Sequence, residues 1–249
     1  MFKTTRALVL RQVPYKEADK ILTVLTRDEG KLTVKARGAL RKGSRAGAAA
    51  QELCYSEMTL FFNRGKWTLN EASTIEQFLP LRNALDKLAL GSYFAELLEA
   101  VTDEDSPNPE LLQLGLNSLY ALSSGQYDML LVKAVFELRL MCLSGYEPML
   151  EGCVSCGREP EDALFSLAGG GIHCRGCAPG ARGISLPLGQ EALSAMRFVV
   201  TAPPKRILSF TLSPEGLRQL GDVCEAYLLA QLERGFGALD YWKSVHVKT

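Results

Sequence analysis

The sequence predicts a multidomain α+β protein: a five-stranded β-barrel over residues 1–80, then an all-helical region over 81–249 with a four-cysteine module embedded at 150–182. Three observations predict it. Short segments rich in Val, Leu, Ile and Thr, with partial alternation of polarity, fill the first 80 residues. From residue 81 the apolar period becomes that of a helix. Four cysteines then fall in the pattern C-x2-C-x17-C-x2-C.

RALVLRQ (6–12), KILTVLT (20–26) and KLTVKAR (31–37) read as strands, the last two joined by the turn RDEG. EMTLFFN (57–63) and KWTLNEA (66–72) flank a second short turn at Arg64-Gly65. Five short strands with all but one connection short predict a small closed barrel, and an oligonucleotide-binding (OB) barrel has this size and count. An SH3-like barrel and a partly open sheet satisfy the same pattern, because strand order is not legible in it.

LRNALDKLALGSYFAELLEAV places Leu81, Leu85, Leu88, Ala95 and Leu98 on one helical stripe. Asn108 is the candidate cap of the next helix, with Pro109 first and Glu110 facing the positive helix end. A third helix, 127–144, is apolar on nearly every face, which predicts a central helix packed on all sides. Ser213, Pro214 and Glu215 repeat the start signal, and Leu217, Leu220, Cys224, Tyr227, Leu228 and Gln231 follow at helical spacing.

The 249 residues are 47% apolar, ample for packed cores. No apolar run reaches the roughly 20 residues that span a bilayer. The longest candidate, 129–143, is broken by Lys133, Glu137 and Arg139. Ala7–Leu10 is too short for a secretory core, so the chain is expected in the cytoplasm with reduced thiols. The net charge of zero hides a division: residues 1–80 carry 14 Lys and Arg against 8 Asp and Glu, and residues 81–249 carry 14 against 20. Such asymmetry points to one region that meets a polyanion and another that does not.

CVSCG (Cys153, Cys156) and CRGC (Cys174, Cys177) can each form a knuckle whose two sulfurs converge, with Gly157 and Gly176 easing the turns. Two knuckles supply four thiolates at tetrahedral corners, which suits Zn2+; iron–sulfur ligation is the competing reading. A site closed by four cysteines predicts a structural metal, a staple for an insertion with few large apolar residues. His173, Arg158 and Arg175 lie beside the ligands and offset the thiolate charge, and Arg175 and Arg182 are the module's candidates for extending a DNA path. Cys54, Cys142 and Cys224 read as packing.

Nothing reads as catalytic. The two histidines, His173 and His246, have no neighbouring nucleophile, and no phosphate loop, nucleophile elbow or H-E-x-x-H motif occurs. DEDSPNPE (103–110) reads as a solvated linker rather than a metal site. The chain is therefore not expected to be an enzyme. The stronger signal is KLTVKARGALRKGSRAGAAA (31–50), whose Lys31, Lys35, Arg37, Arg41, Lys42 and Arg45 have no acidic residue among them. Cations along a strand and its glycine-bearing loop can track a phosphate backbone. Tyr15, Phe61, Phe62 and Trp67 are stacking candidates that equally suit a core.

Residues 15–48, YKEADKILTVLTRDEGKLTVKARGALRKGSRAGA, resemble the N-terminal region of the RecO family of bacterial recombination mediators. Tyr15, Glu17, Thr26, Gly30, Lys31, Gly38, Ser44 and Arg45 fill the family's places, and barrel, helices and paired cysteines follow in the family's order. The resemblance implies an OB domain, a helical domain and an embedded zinc module. It implies a protein that binds single- and double-stranded DNA and anneals complementary strands. Its implied partners are RecR and single-stranded-DNA-binding protein (SSB), and through them RecA, which the family helps to load. Two other readings stay open: a metal-dependent nucleic-acid enzyme, and an assembly scaffold whose basic loop binds an acidic partner.

Overall fold

The computed structural model describes residues 1–181 and 183–246, with Arg45 described for its backbone alone. Arg182 and the Arg45 side chain, both singled out in the sequence, lie outside what is described. The chain forms two compact units: Met1–Ser124 with the segment from Phe236 onward, and Gly125–Gly235. No helix among the described residues is long and apolar enough to cross a membrane.

The first unit is built on a closed barrel of β1 (Phe2–Tyr15), β2 (Asp19–Thr26), β3 (Gly30–Ala36), β4 (Tyr55–Asn63) and β5 (Lys66–Glu76), in the order β1-β2-β3-β5-β4. A parallel β3–β5 pair closes it, which is the connectivity of an OB fold and excludes the alternatives that the strand pattern left open. The first strand is twice the predicted length because it pairs twice, with β4 along Phe2–Leu8 and with β2 along Ala7–Tyr15. A bulge between Val9 and Arg11 bends it from one partner to the other. Alternate residues point inward, and Val9, Leu22, Val24, Val34, Met58, Leu60 and Leu69 form the barrel core. Ladder partners lead around the barrel from Val13 through Ile21, Lys35, Thr68 and Phe61 back to β1 at Phe2. This stagger between the two ends of one strand is what lets so few strands close.

Between β3 and β4 lies the short helix α1 (Arg45–Ala49), whose Ala46 packs against the barrel core. Then come α2 (Leu79–Arg82), α3 (Leu85–Val101) and α4 (Pro109–Ser124). The continuous stripe expected from Leu81 to Leu98 is interrupted. Ala84 is extended (φ −134°, ψ 113°), so α3 starts with a new phase. Leu85 is consequently 57% exposed, and the buried face runs through Leu90, Tyr93, Phe94, Leu97 and Leu98. Asn108 caps α4 as predicted, its Oδ1 accepting the Leu111 N–H at 3.1 Å.

The second unit holds α5 (Met129–Leu143), β6 (Ala163–Ser166), β7 (Gly171–Cys174), β8 (Ser185–Leu188), α6 (Gln190–Thr201) and α7 (Pro214–Leu232). The central helix is α5, buried on most of its surface and capped by Asp128, whose side chain accepts from Leu130 N. Ser213 caps α7 by accepting from Gly216 N at 3.1 Å. The helical region also carries a small antiparallel sheet, order β7-β6-β8, which the cysteine spacing did not reveal. The last helix, α8 (Gly237–His246), belongs to the first unit, where the Ala238 N–H donates to Glu96 on α3 at 3.0 Å.

Candidate nucleic-acid interface and metal centre

The basic segment is less loose than its glycines suggest. Asp19, at the start of β2, accepts the Gly38 N–H at 2.9 Å and pairs with the Lys35 ammonium at 2.9 Å. Those contacts, the Gly38 N–H foremost, hold the Asp19 carboxyl below its ordinary pKa. The Leu40 N–H donates to Ala18 O at 2.9 Å, and successive turns link Arg41 to Gly38 and Ser44 to Arg41. Ser44 then caps α1, accepting from Gly47 N at 3.1 Å. Gly47 is needed for close approach: a Cβ there would stand 2.4 Å from Ala39 O. The loop is thus clamped at both ends.

This clamping sorts the six predicted cations. Lys31 donates from Nζ to Glu99 O at 2.8 Å, and its backbone bonds to Asp103 and Asp105. Lys35 is half-buried between Asp19 and the face of Tyr15, 5.0 Å from the ring centroid. Arg37, Arg41 and Lys42 stand exposed on the loop. The Arg45 backbone opens α1. Asp19 is the residue that the sequence did not mark. No spacing rule identifies a single aspartate as the anchor of a loop some 20 residues on.

Of the stacking candidates, Trp67 packs against the barrel core and meets Phe62 at 4.7 Å between centroids. Tyr15 is exposed beneath Lys16 and Lys35. Phe61 lies 4.8 Å from Phe2, a residue that the sequence did not single out.

The four cysteines converge as their spacing predicted, with all Sγ atoms within 4.8 Å of one another. Cys153 and Cys156 lie in a loop closed by Gly157 N to Cys153 O (2.7 Å) and Cys153 N to Arg158 O (2.9 Å). Cys174 ends β7, and Cys177 N–H turns back to Cys174 O at 2.9 Å. Gly157 has φ +72°, so its knuckle needs glycine; Gly176 is not left-handed, and a Cβ there would meet open space. Only half of the predicted glycine requirement therefore holds.

The thiols share charge unevenly. Burial pushes Cys153 up, but N–H groups of Cys174, Cys156 and Ser155 outweigh it and hold the thiol at about 6. Cys177, hydrogen-bonded to Cys174 and Cys156, is pushed up to about 12. Arg158 bonds to Cys156 and is itself held more firmly protonated, so it supplies the expected counter-charge. His173 is buried with Nδ1 3.2 Å from Ser155 Oγ, and Arg175 is exposed. A tetrahedral Zn2+ with bonds near 2.3 Å sets sulfurs roughly 3.8 Å apart. Cys156 and Cys174 are 3.9 Å apart, so the donor set and its span fit a bound metal ion. Cys54 and Cys224 are buried packing residues; Cys142 is partly buried, and burial with Glu147 nearby raises its thiol to about 12.

The family description "Recombination protein O N terminal" matches residues 1–78, and "Recombination protein O C terminal" matches residues 82–240. The chain belongs to the RecO family. The "DNA repair protein RecO" of Acetivibrio thermocellus is 34% identical over 242 residues, covering 97% of this chain and 96% of that one. Those of Alkaliphilus metalliredigens and Desulforudis audaxviator are 30% and 33% identical, each over 98% of this chain and covering 100% and 98% of theirs. Together the two matched segments, 1–78 and 82–240, span the barrel, the helices and the cysteine module.

Proposed function

We propose that this protein is a non-catalytic DNA-binding mediator of recombinational repair that acts in the cytoplasm. It binds single- and double-stranded DNA, anneals complementary strands and, with RecR and SSB, helps RecA load. The observation that carries this reading is an OB barrel bearing a clamped, acid-free loop with Arg37, Arg41 and Lys42 exposed. Cations held on a fixed loop meet phosphates without first being ordered. Lys31, Lys35 and Arg45 complete the proposed path, the two lysines chiefly by shaping it.

Annealing follows from electrostatics. Two phosphate backbones repel, and a basic surface that holds both lowers that repulsion while raising their local concentration. Base pairing then supplies sequence specificity, so the protein need not read bases. We assign Zn2+ to Cys153, Cys156, Cys174 and Cys177, where it would tie two loops together. Four thiolates leave no open position for water, so the role is structural.

The test is equilibrium binding of a labelled single strand across a salt series. Arg37→Ala/Arg41→Ala/Lys42→Ala should weaken binding and reduce the log–log salt slope by about 2, at about 0.7 per lost contact. An unchanged slope overturns the loop assignment. Magnesium-dependent cleavage of the strand would replace the mediator with an enzyme.

A further inference from the structure

A second surface on the barrel has a composition that the basic loop does not explain. Phe2 is 62% exposed and Met1 71% exposed. Phe2 leans on Phe61 with centroids 4.8 Å apart and planes at 40°. Large apolar side chains crowded together and open to water mark a binding surface. The turn beside them carries Arg64 and Lys66, both exposed, and no acidic residue lies between Glu57 and Glu71.

The strand register connects this patch to the basic loop. Val34, Ala36, Leu60 and Leu69 face the core, so Lys35, Thr68 and Phe61 between them face outward. Lys35 pairs with Thr68, Thr68 with Phe61, and Phe61 with Phe2. This outward row crosses β3, β5, β4 and β1 in turn. One residue beyond Lys35 and Ala36, β3 enters the loop of Arg37, Arg41 and Lys42. On the other side of the row, at the start of β5, stands the β4–β5 turn with Arg64 and Lys66. Two acid-free cationic segments therefore bracket one row that ends in an exposed ring, Phe2, leaning on the half-buried ring of Phe61.

We propose that Phe2 and Phe61 are a base-stacking platform for single-stranded nucleic acid, with Arg64 and Lys66 holding the adjoining phosphates. The strand runs from the 37–42 loop over Lys35 and Thr68 to this platform. Phosphates demand cations and bases demand apolar faces, and only an unpaired strand presents both side by side. The opposite charge of the ligand, matched on both sides of the row, favours it over an apolar protein segment or a second copy of this chain. The β4–β5 turn is also one of the loops by which OB barrels grip oligonucleotides. This inference rests on the nucleic-acid reading above and assigns the part of the barrel that takes the bases.

The experiment compares a short thymidine oligonucleotide, within the roughly 4–16 nucleotides an OB barrel covers, with an abasic oligomer of equal length and charge. Wild type should prefer the thymidine strand. Phe2→Ala and, separately, Phe61→Leu should each reduce that preference by about 5-fold or more while leaving the salt slope unchanged. Arg64→Ala/Lys66→Ala should instead lower the slope by about 1.4 for both oligomers. Phe2 is so exposed that its removal leaves the fold intact, which a thermal melt checks. If wild type binds neither oligomer at low salt, the nucleic-acid reading itself fails. If the loop triple variant loses slope but Phe2→Ala and Phe61→Leu hold thymidine as wild type does, this proposal alone is overturned. It is overturned equally if Phe2→Ala dissolves a dimer without changing thymidine affinity.

Discussion

Replacing Lys133 by Met tests how the second unit keeps a charged cluster inside its central helix. Lys133 is 3% exposed and Glu137 is fully buried, one turn apart on α5. The ammonium lies 2.7 Å from Glu137 Oε1 and 2.8 Å from Glu225 Oε2 on α7. Burial pulls the Lys133 pKa down, but the two carboxylates outweigh it and hold the group above its ordinary value. A raised folded pKa gives stabilisation that is complete below the unfolded value, near 10.5, and lost as pH rises through the folded one. The unit should therefore keep this contribution across neutral pH and shed it only in strong alkali. Removing one partner of a buried pair costs about 3–5 kcal/mol, because the remaining charge is left uncompensated. At about 2–4 °C per kcal/mol for a chain of this size, Lys133→Met should lower the melting temperature by roughly 6–20 °C. Circular dichroism at 222 nm, near pH 7, reads this directly. Lys133→Met combined with Glu137→Leu should recover much of the loss, since an apolar replacement removes the stranded carboxylate as well. A single variant melting within about 2 °C of wild type would refute the reasoning, because Glu137 would then need no cation.

Two further outcomes follow from close contacts. Cys174→Ser should abolish stoichiometric metal binding, measured by elemental analysis, and lower the melting temperature of the Gly125–Gly235 unit, as should a strong chelator on the wild type. A variant that stays fully folded yet loses DNA binding alone would contradict the staple. Gly30→Ala should cost more than about 1–2 kcal/mol in denaturant unfolding, for two reasons. Gly30 has φ +71°, and its added Cβ would lie 2.4 Å from the Ser106 carbonyl oxygen, a backbone atom with little room to retreat. A midpoint equal to that of wild type would mean that the 103–106 segment is not held against β3.

The order of elements was readable because each rests on local chemistry. Alternating Val, Leu and Thr mark β1 to β5, and Asn108-Pro109 and Ser213-Pro214 mark helix starts. The four cysteines were readable as one site because each knuckle is a local turn and only their mutual approach is long-range. Helix phase is illegible where the local cue is weak: Ala84 breaks the Leu81 stripe without Gly or Pro to announce it. The sheet around Ala163–Leu188 is not legible in the sequence because strands of four residues carry too short an alternation.

By itself, the sequence determined that a cationic, acid-free segment follows a strand of a small barrel and that a closed cysteine site lies in the second half. Only the tertiary structure decided which cations are available. Glu99 takes Lys31 and Asp19 takes Lys35, while Arg37, Arg41 and Lys42 remain exposed. It alone set Phe2 against Phe61 and both in a row with Lys35. The physical reason is common to both cases. Charge and ring type are properties of single residues, but pairing depends on distance, and the parallel β3–β5 contact that closes the barrel joins segments about 30 residues apart, beyond the reach of periodicity.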